Sequence, residues 1–332
     1  MFQNKVKIEK DMKKGLKKPS FIQLFIGLIN TNLHLNDKYK SYGAPLIVSN
    51  YKLLYEINKE SKQKDLASAV YICRSKKYFI KTWFGLVKDL RYYSLINELF
   101  TGDILYKEFD TSRLQISGYN IKIPKVITCV RSPESLSVVF EFVAGVTLTN
   151  SPLAQQVKVL GAVIEALQYV SKRLSSKEKS FFLNISKRFY LLSLPLLTLC
   201  NLIFSGKGRW AIFRAFIDCL NEAKSLKPGE SQLAHRDIEP PNILVDQRNI
   251  YIVDCERMAL TIPNYDINHL SIKPGLKLLA KKVFYLLNQK QSLFLKNYIS
   301  IQFASTPDNP PYFKNFYIRG LLTRYAKKSF AS

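Results

Sequence analysis

Acidic residues are scarce in this chain: 25 Asp and Glu stand against 50 Lys and Arg, a formal net charge of +25. Such an imbalance argues against a polycationic partner, unless a local acidic pocket overrides the global field. It favours polyanions, whether nucleic acid, anionic lipid or a phosphorylated glycan. Cysteine is sparse as well. Cys73, Cys129, Cys200, Cys219 and Cys255 are scattered and form no C-x-x-C pair. That excludes a disulfide framework and a cysteine zinc site, and predicts buried, reduced thiols in a cytoplasmic protein. No zinc or RNP signature accompanies the basic charge, so nucleic acid is a disfavoured partner. Long apolar runs are missing too. Phe21–Ile29 is interrupted by Gln23, and the uncharged stretch Phe189–Phe204 has Pro195 in its middle. Both fall short of the roughly 20 apolar residues of a spanning helix. There is no internal repeat and no long low-complexity linker, and glycine is absent from Asn58 to Ser68.

What is present describes a folded protein. The 332 residues are 47% hydrophobic and 13% aromatic, enough for one large core or two modest ones. Strand-like runs occupy Tyr51–Ile57, Ala69–Arg74 and, after the turn Ser75-Lys76-Lys77, Tyr78–Trp83. Residues 84–100 carry Leu86, Leu90, Tyr93, Ile96 and Leu99 at helical spacing. Lys122–Val130 and Leu136–Val143 read as an antiparallel pair, and Ala144-Gly145 breaks the pattern. From Ser151 to Glu230 the chain reads as helical, with Ser151-Pro152 as cap and first turn. The chain is organised around Leu233–Asp246 followed by Asn249–Glu256. There a polar loop leads into two short apolar strands joined by Asp246-Gln247-Arg248, which predicts a hairpin holding Asp237, Asn242 and Asp254 near one point. Two carboxylates and an amide oxygen are hard donors that suit Mg²⁺.

His235-Arg236-Asp237, with Asn242 five residues after the Asp and Asp254 beyond the next strand, resembles the catalytic and metal-binding segments of the protein-kinase-like superfamily. The resemblance implies an α+β, two-lobed kinase-like fold with an antiparallel-sheet N-lobe and a mainly helical C-lobe. A basic extension would occupy 1–45, the N-lobe 46–143 and the C-lobe 144–332. The C-lobe would hold the catalytic loop at 235–242 and a helical insert at about 151–230. Asp237 would orient the acceptor hydroxyl and take its proton, while Asn242 and Asp254 hold Mg²⁺ beside ATP. His235 would be a scaffold residue of the loop. Ile80-Lys81 resembles the end of the strand that carries the phosphate-binding lysine. The helix after it would offer an acid to Lys81, Glu98 by choice and Asp89 otherwise. Val139–Gly145 resembles the hinge, where backbone groups near Phe142 and Val143 would meet the adenine edge.

Departures from the family choose among its branches. The glycine-free Asn58–Ser68 lacks the Gly-rich loop, so Ser61, Ser68, Lys59, Lys62 and Lys64 would have to substitute for it. Glu239 stands two residues after Asp237, where protein kinases carry Lys, and no A-P-E follows Asp254. The chain is therefore closer to small-molecule and glycan kinases, the aminoglycoside/choline kinase group and the lipopolysaccharide (Kdo/heptose) kinase group both fitting. The expected activity is ATP- and Mg²⁺-dependent phosphorylation of a hydroxyl on a small molecule, sugar or lipid-linked glycan. The alternatives are a protein serine/threonine kinase, or a weak pseudokinase acting as a binding module. The acceptor is expected to be anionic or lipid-linked. Lys5, Lys7, Lys10, Lys13, Lys14, Lys17 and Lys18 precede an apolar run. Either they touch an anionic surface at the inner face of the membrane, or they form a solvated tail leading into a packing helix. The sequence leaves the oligomeric state open.

Overall fold

The computed structural model describes residues 52–57, 66–84, 90–132, 135–204, 209–226, 231–273 and 275–302. The basic extension 1–45, the connection 58–65 and Asp89 lie outside these. The described chain forms two compact units. One holds the described residues of Met1–Ser112 with Lys122–Gly145 and Val253–Glu256, and the other holds Arg113–Ile121, Val146–Ile252 and the described residues of Arg257–Ser332.

The first unit is built on an antiparallel sheet. Its strands are β1 (Lys52–Ile57), β2 (Leu66–Cys73), β3 (Lys76–Phe84), β6 (Val126–Ser132) and β7 (Ser135–Glu141), in the order β1-β2-β3-β7-β6. Cys73 pairs with Lys76, so the β2–β3 turn is the two residues Arg74-Ser75 and not the three at 75–77. Both have positive φ, 49° and 64°, the conformation a two-residue hairpin needs to match strand twist. Phe84 still belongs to β3, and helix α1 (Leu90–Ser112) runs twelve residues further than the apolar spacing predicted. It lays Tyr92, Leu95, Ile96 and Leu99 on the sheet against Trp83, Val126, Leu136, Val138 and Phe140. The pair predicted from Lys122 begins only at Val126. Residues 115–122 instead form a separate hairpin, β4 (Gln115–Ile116) and β5 (Tyr119–Lys122), around Ser117-Gly118.

In the second unit β4 and β5 continue through β12 (Asn249–Ile252) and β11 (Ile243–Asp246) to β8 (Val146–Thr147). Helices α2 (Leu153–Arg173), α3 (Ser176–Lys179), α4 (Lys187–Phe204) and α5 (Arg209–Glu222) follow β8 in the chain. Pro152 itself is the N-cap of α2 and offers no side-chain cap. The Gln156 amide instead donates to the carbonyls of Thr149 and Ser151. The helical region is interrupted by β9 (Leu183–Asn184), which joins β10 (Gln232–Ala234) and β13 (Ala259–Thr261) in a small sheet. The chain after Asp254 is therefore not purely helical: a 3₁₀ turn, Cys255–Arg257, and β13 come before α6 (Tyr265–Ile272), α7 (Lys277–Leu286) and α8 (Leu293–Gln302). At Gly161 in α2 an added Cβ would lie 2.7 Å from Cδ2 of Leu286, a half-exposed side chain at the end of α7. A core of Tyr190, Leu194, Cys219, Tyr265, Phe294, Leu295, Tyr298 and Ile299 ties α4, α5, α6 and α8 together.

Candidate active site

Lys81 sits in the central strand β3, opposite Ser68 of β2 and Val138 of β7. The period-two alternation of a strand puts it on the same face as Trp83, the face that α1 covers. Glu98 lies one turn from Leu95 on that helix, so its carboxylate reaches the lysine. Lys81 Nζ donates to Glu98 Oε2 at 2.8 Å, Glu98 Oε1 at 3.0 Å and Asp254 Oδ1 at 2.6 Å. The lysine is 6% and the glutamate 5% exposed. Asp254 arrives on the short segment Val253–Glu256, which packs with this unit. Asn97 of α1 donates to the Glu256 carbonyl at 2.9 Å and pins that segment.

The electrostatics of this cluster are lopsided. Burial disfavours a charged lysine, but Asp254, Glu98 and Glu256 outweigh it and hold the Lys81 pKa above its ordinary value. Burial pushes Glu98 up to about 7; Lys81 opposes the rise and Asp254 adds to it. One lysine thus faces more carboxylate than it can neutralise. A divalent cation would meet that deficit, and Asp254, with its side chain 36% exposed, is the carboxylate that could take it. Asp254 also holds φ at 63°, a conformation costly for a residue with a Cβ and often retained at functional sites.

The second cluster is the loop after β10. Asp266 of α6 accepts from the backbone N–H of His235 at 2.9 Å and of Arg236 at 2.7 Å, one oxygen each. His235 is fully buried, as a scaffold residue would be. Arg236 has φ 68° and lays its guanidinium over the Tyr265 ring at 5.5 Å. Asp237 has a side chain 20% exposed, with Lys273 Nζ at 3.6 Å and Arg257 Nη1 at 3.9 Å. Lys273 also pairs with Glu239. Asn242 Nδ2 donates to the Asp237 carbonyl at 2.8 Å. Spending the nitrogen on the loop leaves the amide oxygen as an acceptor of the hard kind that Mg²⁺ takes. Asn242 immediately precedes β11, whose Ile243 pairs with Ile252 of β12, two residues before Asp254. The connecting turn is Gln247-Arg248, because Asp246 already pairs with Asn249.

Phe142 and Val143 follow the end of β7 in irregular, half-buried backbone, with Lys77 Nζ 5.6 Å from the Phe142 ring. Asp266, Lys273, Arg257 and Glu256 were not singled out from the sequence. An aspartate between Tyr265 and Ile267 was a usable signal for burial with a partner, whereas one lysine among so many carried none.

The model of a phosphotransferase enzyme family, APH, matches residues 107–275, just over half of the chain. A search of curated proteins finds no match. Among solved structures, a thermostable mutant of aminoglycoside phosphotransferase APH(4)-Ia in ternary complex with AMP-PNP and hygromycin B is similar with a TM-score of 0.57. The two are 14% identical over 91% of this chain and 95% of that one. The streptomycin–ATP–APH(2″)-IIa ternary complex is similar with a TM-score of 0.50 and 16% identity over 89% and 95%. The apo form of the APH(4)-Ia mutant gives 0.52 and 14% over 76% and 88%. These likenesses establish the fold as protein-kinase-like. The chain belongs to the phosphotransferase enzyme family and is a phosphotransferase.

Proposed function

We propose that this enzyme transfers the γ-phosphoryl group of ATP, with Mg²⁺, to a hydroxyl of an anionic or lipid-linked sugar acceptor. The observation that carries the reading is Lys81, fixed on a central strand and shared between Glu98 and Asp254. Glu98 holds the ammonium in place, and Lys81 meets the nucleotide phosphates as a compact charge. The backbone at Phe142 and Val143 takes the adenine edge. Asn242 and Asp254 would hold Mg²⁺, which when bound neutralises phosphate charge and aligns it for in-line attack.

Asp237 accepts the proton of the acceptor hydroxyl. Its carboxylate is oriented by a loop whose backbone Asp266 clamps on two successive N–H groups. The charge around it bears on the acceptor. Lys273 and Arg257 flank Asp237, and the whole chain is strongly basic, which supports an anionic acceptor over a polycationic one. A screen of sugars, lipid-linked glycans, aminoglycosides and proteins with radiolabelled ATP tests this. Label on an anionic or lipid-linked sugar is the expected result, and label on aminoglycosides alone overturns the acceptor class.

A further inference from the structure

Two neighbouring helices of the second unit turn apolar faces to solvent. The inner face of α4 is spent on the core: Tyr190, Leu194, Thr198 and Asn201 are buried, and the Asn201 amide donates to the Ile301 carbonyl at 2.7 Å. Its outer face carries Leu192, 80% exposed, with Leu196 and Leu199 exposed at spacings of four and three. On α5, Ile212 and Cys219 point inward, while Trp210, Phe213, Ile217 and Leu220 recur at spacings of three, four and three. All four are exposed, Trp210 by 74%. The Trp210 and Phe213 rings lie 5.9 Å apart. A helix on the surface of a globular protein ordinarily puts charge on such a face. In α4 the charged residues are Lys187 and Arg188, both at its start.

We propose that these faces of α4 and α5 dock the enzyme on an anionic lipid bilayer, the helices lying in the plane of the interface. Charge complementarity selects this occupant. From Glu178 to Asp218 the chain has no acidic residue between them and six Lys or Arg. Arg188, Arg209 and Arg214 are exposed on the same two helices as the apolar residues, against the one exposed acid Asp218 on α5. Arginine beside leucine and tryptophan matches phosphate headgroups above acyl chains, with Trp at the boundary. A second copy of the chain would set like charges against each other. No helix among the described residues is long and apolar enough to cross a membrane, so the contact is shallow. The inference is independent of which acceptor the enzyme uses.

The protein contains its own reporter. Of its two tryptophans, Trp83 is buried and Trp210 exposed, so a change in emission on adding lipid reports Trp210. The full chain is titrated with vesicles of phosphatidylcholine alone or mixed with phosphatidylglycerol, with and without brominated acyl chains. The expected result is a blue shift and bromine quenching with the anionic vesicles only, reversed by salt. Arg209→Glu with Arg214→Glu, or Leu192→Gln with Leu196→Gln, is expected to weaken vesicle binding by more than tenfold and to leave melting and ATP binding unchanged. No shift with anionic vesicles, or an equal shift with neutral ones, overturns the proposal. So does Trp210 already shielded from acrylamide without lipid, or a shift that follows protein concentration alone, which would assign the face to a second copy.

Discussion

Lys81→Met removes the cation that Glu98 and Asp254 share, and its cost depends on pH in a direction the structure fixes. Breaking a buried ion pair by deleting one partner costs about 3–5 kcal/mol, because a charge is left buried. Asp254 is partly exposed and water can screen it, so the penalty falls on Glu98. Glu98 has an escape, which is to bind a proton. Burial already pushes it up to about 7 with Lys81 opposing, and without Lys81 it rises further. A carboxyl raised in the folded state contributes stability that is full below its ordinary value and is lost as pH climbs through the folded value. At about pH 5 Glu98 is protonated in both proteins, and the variant loses only the half-screened contact with Asp254, worth about 1 kcal/mol. At about pH 8 the wild type pairs an ionised Glu98 with Lys81, whereas the variant must protonate it or bury it alone, and the gap grows toward the 3–5 kcal/mol range. That is a fall in melting temperature on the order of 10 °C. Thermal melts from acid to mildly alkaline pH read the gap directly. Glu98→Gln is the control: it removes the titration and should gain on the wild type as pH rises. A Lys81→Met gap that is constant, or that narrows toward alkaline pH, refutes the reasoning.

Other perturbations act on the loop and the packing. Asp266→Asn leaves one carbonyl oxygen for the two N–H groups of His235 and Arg236; it should cost about 1–3 kcal/mol in urea unfolding and lower kcat. Lys273→Met removes a cation from beside Asp237 and the partner of Glu239; KM should rise more for an anionic acceptor than for a neutral one. Gly161→Ala brings a methyl to 2.7 Å from Leu286 Cδ2, the tip of a half-exposed side chain that can turn away. The helix-propensity gain of about 1 kcal/mol then sets the sign, and a thermal melt should show a small gain and not a loss.

The parts of this molecule that were legible in the sequence are those where one residue type at one spacing has few uses. Asp237, Asn242 and Asp254 were picked out by their spacing around two short runs, which form the paired strands Ile243–Asp246 and Asn249–Ile252. The resemblance asked for an acid on the helix after Lys81, and it is Glu98 that meets the Lys81 ammonium. Short strands were not legible. Gln115–Ile116 and Leu183–Asn184 span two residues each, below any periodicity, and Leu183–Asn184 is held by a partner distant in the chain, Ala259–Leu260. The β2–β3 turn was misplaced because Arg74-Ser75 lacks the Asn-Gly signature that usually marks positive φ. The start of α2 lies one residue later than Ser151-Pro152 suggested, because Pro152 is the N-cap and no side chain caps the helix there. Lys273 reaches Asp237 only through the tertiary fold, from a sequence distance at which no local pattern operates.

Calorimetric titration of a non-hydrolysable ATP analogue, with and without Mg²⁺, into the wild type and Asp254→Ala measures the central claim most directly. If Asp254 completes a cation site beside Lys81, the wild type binds the analogue more tightly with Mg²⁺. Asp254→Ala loses that enhancement while it melts within about 1 kcal/mol of the wild type. Equal Mg²⁺ enhancement in the two proteins, or no nucleotide binding by a folded wild type, would contradict the account.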